Sequence, residues 1–372
     1  VQGSFLVLFP DMAVKKKKKS PARGKSGFFR KVIIAAIVIT IGSSLGGAWL
    51  SWNYLWRSNV KSSPDAGAMY LYIKTGSKFE EVMAGLRQSG MLKNEAAFEW
   101  VARWKGYPDK VKPGRYLIKS SMGNNELVNL LKSGRQEPVK LVLNTFRQIP
   151  ELAGFVSGKL EADSAALVAV FENEERLRAL SLPAAGGLSV IIPNTYEFWW
   201  NTSAENFFEK MAKEYRKFWN GSRMTRLKKK GINAAQASVI ASIVQQETNY
   251  KPEMPLVASV YLNRLDKGMK LQADPTVVYA IGDFSIRRVL KTYLDYDSPY
   301  NTYRYAGLPP GPICTPEIHA IDAVLNAPDN DLIYFCAKED FSGRHNFASN
   351  AKDHERNAVA YRKALSKRKI FK

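Results

Sequence analysis

The sequence predicts an α+β protein with one N-terminal transmembrane helix, a small α+β module behind it, and a larger α+β domain making up the remainder. Three observations predict this. Residues 32–56 form an uncharged run of 25 residues, more than the roughly 20 a helix needs to cross a hydrocarbon core. Residues 69–118 read strand–helix–helix–strand, the order of a small mixed module. Apolar residues make up 45% of the 372, enough for a substantial core in the rest of the chain.

The first 31 residues hold nine Lys and Arg against one acid, Asp11, and read as a basic tail. Residues 1–11 differ in character from the rest, and Met12 reads as the true start. The apolar run opens on Val32, Ile33, Ile34 and Ile37 and closes on Trp49, Trp52, Tyr54 and Trp56, the aromatic belt of a membrane interface. The positive-inside rule places the basic tail in the cytoplasm and everything after Arg57 outside. A cleaved signal peptide is the competing reading, with Ser43 to Ala48 near the cut; the aromatics beyond that point favour a retained anchor.

Residues 57–67, with Ser62, Ser63, Pro64 and Gly67, read as a linker. The small module spans 68–120: a strand at Met69–Lys74, helices at Lys78–Ser89 and Ala96–Lys105, and a strand at Gly114–Ile118. The larger domain spans 121–372. It opens with a short helix ending near Gly134, with Leu127, Leu130 and Leu131 on one side. Val139–Leu143 and Ile191–Phe198 read as strands, Phe207–Trp219 as a helix, and Lys228–Lys230 as a solvated helix end.

Asn233 is an N-cap for a helix reaching about Thr248. Pro255 opens another, which stops at Gly268. Asp274-Pro275 and Thr315-Pro316 each read as an N-cap followed by proline at the first helical position. Leu332–Ala337 and His345–Ala348 read as strands turned at Gly343, and Asn350 caps a final basic helix to Lys367.

The chain carries a net charge of +21, which favours an anionic partner. It has no zinc-finger spacing, Gly-rich phosphate loop or aromatic-interleaved RNA motif, which argues against nucleic acid. Phospholipid headgroups or a carboxylate-bearing polymer remain. Cys314 and Cys336 have no metal-ligand spacing, and read as small buried residues that could pair in an oxidising compartment. His319, His345 and His354 also lack metal spacing, so no metal site is expected.

One carboxylate is out of place. On the 233–248 helix, Ile240, Ile243 and Val244 fall within about 60° of Glu247, whereas Ser238, Ser242 and Gln245 fall on the opposite side. Glu247 therefore lies in the apolar stripe and the polar residues take the face expected to meet solvent. A carboxylate there must be paired, hydrogen-bonded or protonated. Two readings stay open: an ion-paired glutamate at a helix end, or an acid whose pKa is raised for proton transfer. Downstream, Tyr296, Tyr300, Asn301, Thr302, Tyr303 and Tyr305 supply aromatic faces and hydrogen-bonding groups suited to sugar, or else a tyrosine-rich segment packed in the core. Gly307 to Pro312 must be an irregular loop.

Several stretches taken in order resemble the YceG-like endolytic murein transglycosylases. They are Ala241–Thr248, Val257–Leu265, Met269–Val277, Ser298–Tyr303, Gly307–Pro316 and Pro193–Phe198. The resemblance covers nearly all of residues 32–365, and the family's catalytic glutamate falls on Glu247. It implies a bacterial lyase anchored in the inner membrane, its catalytic domain periplasmic. The enzyme would cut peptidoglycan glycan between N-acetylmuramic acid and N-acetylglucosamine and leave a 1,6-anhydro end, without cofactor. It further implies action as a terminase of nascent strands, peptidoglycan synthases as neighbours, and a LysM-like fold for the small module.

Gln272, Asp274, Tyr300, Asn301, Thr302 and Tyr303 are the expected substrate-binding residues. Members often carry Glu where this chain has Gln245; that residue is expected on the far side of the helix, where the change does no harm. A two-carboxylate hydrolase using Asp274, Asp295 or Asp297, and an inactive glycan-binding adaptor, are the alternatives.

Overall fold

A computed structural model describes residues 26–61 and 69–368. The basic tail through Lys25 and the expected linker from Ser62 lie outside the described residues. Helix α1 (Ser26–Leu55) is apolar on every side, and Gly27–Leu55 is long and apolar enough to cross a bilayer, with none of that stretch buried by the rest of the chain. Residues 27–52 are exposed along the helix, and only at its end do Leu55 and Tyr54 pack, on the small module's core and on Trp100.

The small module pairs β1 (Met69–Ile73) antiparallel with β2 (Gly114–Ile118), Leu71 opposite Tyr116. Alternation turns Leu71, Ile73, Tyr116 and Ile118 inward. Between the strands lie α2 (Phe79–Ser89), closed by left-handed Gly90, and α3 (Glu95–Trp104), capped by the Asn94 side chain. Helix α4 (Asn124–Ser133) packs onto the same core, giving Leu127, Val128 and Leu131 to a cluster that includes Leu86, Phe98 and Val101. Residues 57–61 are tied in as well: Ser58 bridges to Gly123, Val60 to Leu92, and Val60 is fully buried.

The larger domain is mostly helical. Strands β3 (Val139–Leu143) and β4 (Asn194–Phe198) pair antiparallel. Between them come α5 (Ile149–Ser157), α6 (Ser164–Phe171) and α7 (Glu174–Arg178); α8 (Ala204–Phe218), α9 (Gly221–Lys230) and α10 (Ala234–Glu247) follow. Next are α11 (Met254–Asp266), α12 (Asp274–Ile281) and α13 (Ile318–Leu325), then the hairpin of β5 (Tyr334–Ala337) with β6 (His345–Ala348), and α14 (Ala351–Lys367). One continuous core from Val139 to Ala327 joins the elements from β3 to α13, and Phe335 and Phe347 of the β5–β6 hairpin pack against it. It contacts the small module through Thr75, whose N–H and hydroxyl each donate to Glu161 at 2.7 Å, and through Tyr72 against Trp200.

Four expectations need correction. The strand expected from Ile191 begins at Asn194, because residues 187–190 coil into a 3₁₀ turn ahead of Pro193. Asp274 lies inside the first turn of α12, and the N-cap position is Ala273. Thr315 and Pro316 precede α13, which starts at Ile318. The polar face of α10 does not meet solvent: Ser238 and Ser242 are buried, and the Ser242 hydroxyl donates to Val239 O and accepts from Ile313 N–H. Alanine and serine there let α13 approach closely, so α10 is the central helix of the domain. The cysteines are both free thiols, Cys314 buried and Cys336 half-buried.

Candidate active site

Helix α10 fixes the position of Glu247 at both ends. At its start Asn233 and Gln236 form a reciprocal capping box, each accepting the other's backbone N–H at 2.9 Å. At its end the backbone of Thr248 turns extended, leaving Glu247 on the last turn, where the apolar stripe opens onto a cleft. The cleft measures about 260 Å³ and is lined by Arg147, Gln246, Glu247, Asp274, Tyr279 and Phe284, among others.

Tyr261, buried on α11, donates its hydroxyl proton to Glu247 Oε1 at 2.6 Å. The hydroxyl thereby gains the partner a buried tyrosine needs. Burial pushes the Glu247 carboxyl up to about 7, and the charge of Asp274 adds to the rise. The Tyr261 hydrogen bond and the Arg264 guanidinium pull the other way, but burial dominates. Glu247 is thus an acid still substantially protonated near neutrality, with one oxygen oriented by a tyrosine.

The other wall is built on α12. Asp274 is exposed at the cleft and accepts from the Tyr303 hydroxyl at 2.5 Å. Arg147 stands over the Phe284 ring at 4.5 Å, combining a cation and an aromatic face in one wall. Buried Arg264 braces the floor from behind: its Nε donates to Ile333 O at 2.7 Å and its Nη1 to Leu271 O at 2.6 Å. A mixture of flat apolar surface, carboxylates and guanidinium suits a sugar polymer bearing acidic groups.

The expected binding residues separate into four groups. Asp274 lines the cleft beside Glu247, with Tyr303 bonded to it. Tyr300 packs on Tyr279 at 4.7 Å and lines an adjoining hollow with Gln148, Glu172 and Pro312. Asn301 and Thr302 do not reach open space. The Asn301 amide donates to Leu294 O and Tyr296 O, and Thr302 Oγ1 accepts from Ala273 N–H. They scaffold the loop that carries the tyrosines. Gln272 is exposed with φ +51°, and its backbone N–H donates to Thr302 O at 3.1 Å. Among the described residues no three His, Cys, Asp or Glu side chains cluster as metal ligands.

The profile of the YceG-like family matches residues 71–360, well over half of the chain. The chain belongs to the YceG-like family. A Streptococcus pneumoniae protein named endolytic murein transglycosylase is 27% identical over 362 residues, covering 89% of this chain and 65% of that protein. The chain therefore spans about two thirds of the pneumococcal relative's length. A Bacillus subtilis protein of the same name is 27% identical over 335 residues, covering 85% of this chain and 91% of that one. The crystal structure of a YceG-like protein from Listeria monocytogenes superposes with a TM-score of 0.50 at 25% identity, covering 78% of this chain and 99% of that structure.

Within this YceG-like domain, sequence reasoning missed Tyr261, Arg264 and Arg147. Tyr261 had a signal, since a tyrosine in the apolar run of α11 needs a partner for its hydroxyl. Arg147 had none, because it reaches the cleft from a loop 100 residues before Glu247. Gln245, which does not line the cleft, accepts from Glu317 N–H at 2.6 Å and donates to Thr145 at 3.0 Å. Its amide ties the loop after β3 to the start of α13, using one acceptor and one donor.

Proposed function

We propose that this YceG-like chain is an endolytic lytic transglycosylase of peptidoglycan, with Glu247 as its single acid and base. The observation that carries the reading is the half-buried Glu247 carboxyl, raised to about 7 by burial and oriented by Tyr261 at the edge of a cleft. Protonated Glu247 gives its proton to the oxygen linking muramyl C1 to the N-acetylglucosamine beyond it. The C1–O bond breaks and that sugar leaves with a free hydroxyl. The Glu247 carboxylate then takes the proton of the muramyl C6 hydroxyl as that oxygen bonds to C1. A 1,6-anhydro ring results, Glu247 is again protonated, and no water is consumed. One carboxylate suffices, whereas glycoside hydrolysis normally uses two.

In this scheme Asp274, Tyr303 and Tyr279 hold the sugar, Tyr300 and Gln272 extend the grip, and Arg147 meets the carboxylates of the peptide stems. Helix α1 serves as a single-pass anchor in the inner membrane with the basic tail in the cytoplasm. The cleft then works on periplasmic strands close to the membrane, as a terminase of growing glycan beside the synthases. The small module, LysM-like in element order, belongs to the same glycan-directed apparatus. A two-carboxylate hydrolase is the second reading, favoured by Asp274 lining the same cleft as Glu247.

The test compares wild type with Glu247→Gln for both binding and cleavage of purified peptidoglycan. Binding should be retained while turnover falls by at least about 10³-fold, since both proton transfers run through one group. Equal behaviour of the two proteins, binding without turnover in either, would make the chain an adaptor.

A further inference from the structure

We infer that the small module rests on the membrane surface through an aromatic ledge, Trp100 and Trp104 of α3, seated in the headgroup layer beside α1. The inference rests on α1 being the membrane anchor.

The level of the ledge follows from the helix. About 20 residues at ~1.5 Å each fill a hydrocarbon core of ~30 Å. Counted from Val32, where charge ends, that length reaches Ser51, so Tyr54 stands about one turn farther out, in the interfacial layer. Trp100 meets Tyr54 edge to face at 5.9 Å. It therefore stands at the same level.

Helix α3 runs back toward the bilayer. Its cap residue Asn94 is bonded both ways to Asn59, beyond the end of α1: Asn59 Nδ2 donates to Asn94 O and Asn94 N–H to Asn59 Oδ1, each at 2.7 Å. Six residues later Trp100 has returned to the level of Tyr54. Trp104, one turn deeper, stacks on Trp100 at 6.1 Å with ring planes 6° apart. The two indoles are 53% and 64% exposed, a wide apolar patch to leave in water. Tryptophan is the side chain most at home in the interfacial layer. Exposed Lys110 follows the end of α3, a cation available to lipid phosphates, whereas Arg103 is paired with Glu99 and lies over the Phe79 ring.

The junction is built to hold this pose. Asn124, fully buried, donates to Tyr54 O at 2.8 Å and accepts from Asn59 at 2.6 Å. A Cβ on Gly123 would fall 2.6 Å from Trp56 O. The end of α1 is thus locked to α3 and α4, and the module cannot swing away from the surface on a free tether.

Photo-cross-linking tests the proposal. Full-length protein carrying p-benzoylphenylalanine in place of Trp49, Trp100, Trp104 or Trp199, one at a time, is reconstituted into phosphatidylethanolamine–phosphatidylglycerol vesicles with soluble glycan fragments outside. Lipid adducts are expected at positions 49, 100 and 104, and none at 199. Lipid adducts at 49 with none at 100 and 104, or glycan adducts at those two, overturn the ledge and leave the anchor standing. Loss of adducts at 49 as well overturns both. An independent reading comes from brominated lipid, which should quench less of the tryptophan emission in Trp100→Phe/Trp104→Phe than in wild type; unchanged quenching contradicts the ledge.

Discussion

Glu247 carries opposing demands, because the burial that makes it a usable acid also makes its ionisation costly to the fold. Its raised pKa means that the folded chain binds a proton that the unfolded chain has released between about pH 4.5 and 7. The stability linked to that proton is present below the unfolded pKa and is lost as pH rises through about 7. Glu247→Gln keeps the shape and removes the charge, so it should stabilise the protein at pH 8 by on the order of 1–3 kcal/mol and have little effect at pH 4. Thermal melts at the two pH values check this.

Activity should fall as pH rises past about 7, because the proposed reaction starts from the protonated acid. Tyr261→Phe removes a hydrogen bond that favours the carboxylate, so the alkaline limb should move to higher pH. The rate should drop about tenfold or more as the orientation is lost. A pH–rate profile of the variant tests both effects; an unmoved limb would mean that Tyr261 does not act on the acid. The helical period marked Glu247 as a carboxylate on an apolar stripe but left an ion pair and a functional acid both open, and only the family resemblance chose between them. Tyr261 and Arg147 were not legible, because their relation to Glu247 exists only after the chain folds.

At the level of elements, the loop from Leu294 to Tyr305 illustrates the difference between a binding residue and a scaffold. Asn301 closes it by donating to two carbonyls and accepting from Tyr303 N–H at 3.0 Å. Asn301→Ala should destabilise the fold by roughly 2–3 kcal/mol, because buried polar groups lose their partners. Denaturant titration should show this loss, together with a lower rate from displaced Tyr303; an unchanged midpoint with weakened substrate binding would return Asn301 to the cleft. Its side-chain chemistry suggested sugar recognition, and sequence carries no mark of which way an amide points. Of the expected caps, Asp274 and Thr315 do not sit at the cap position, whereas Asn233 and Asn350 accept from the first turn of the helices they precede, since capping depends on near neighbours. The buried polar side of α10 was hidden for the opposite reason. Serine can satisfy its hydroxyl on its own helix, as Ser242 does, so a polar stripe does not guarantee water.

Across the whole molecule, the contacts form a chain from the apolar helix α1 to the cleft. Helix α1 is fixed to the small module at Asn124, the module to the larger domain at Thr75 and Glu161, and the larger domain's core helix ends on Glu247. With α1 in a bilayer, as proposed, such a chain holds the cleft at a set distance from it, which suits the proposed action on emerging strands. The long apolar helix and the α+β class were readable from hydropathy and element order, whereas the packing of α4 and residues 57–61 with the small module depends on long-range contacts.

The central claim is that Glu247 alone performs both proton transfers, and it is decided by the chemistry of the ends it leaves. Purified peptidoglycan digested by the full-length protein in detergent should yield new 1,6-anhydromuramyl ends by mass spectrometry, none of them carrying oxygen from ¹⁸O-labelled water, and Glu247→Gln should yield none. Reducing ends labelled with ¹⁸O would contradict the account and make Asp274 the partner of Glu247 in a hydrolase.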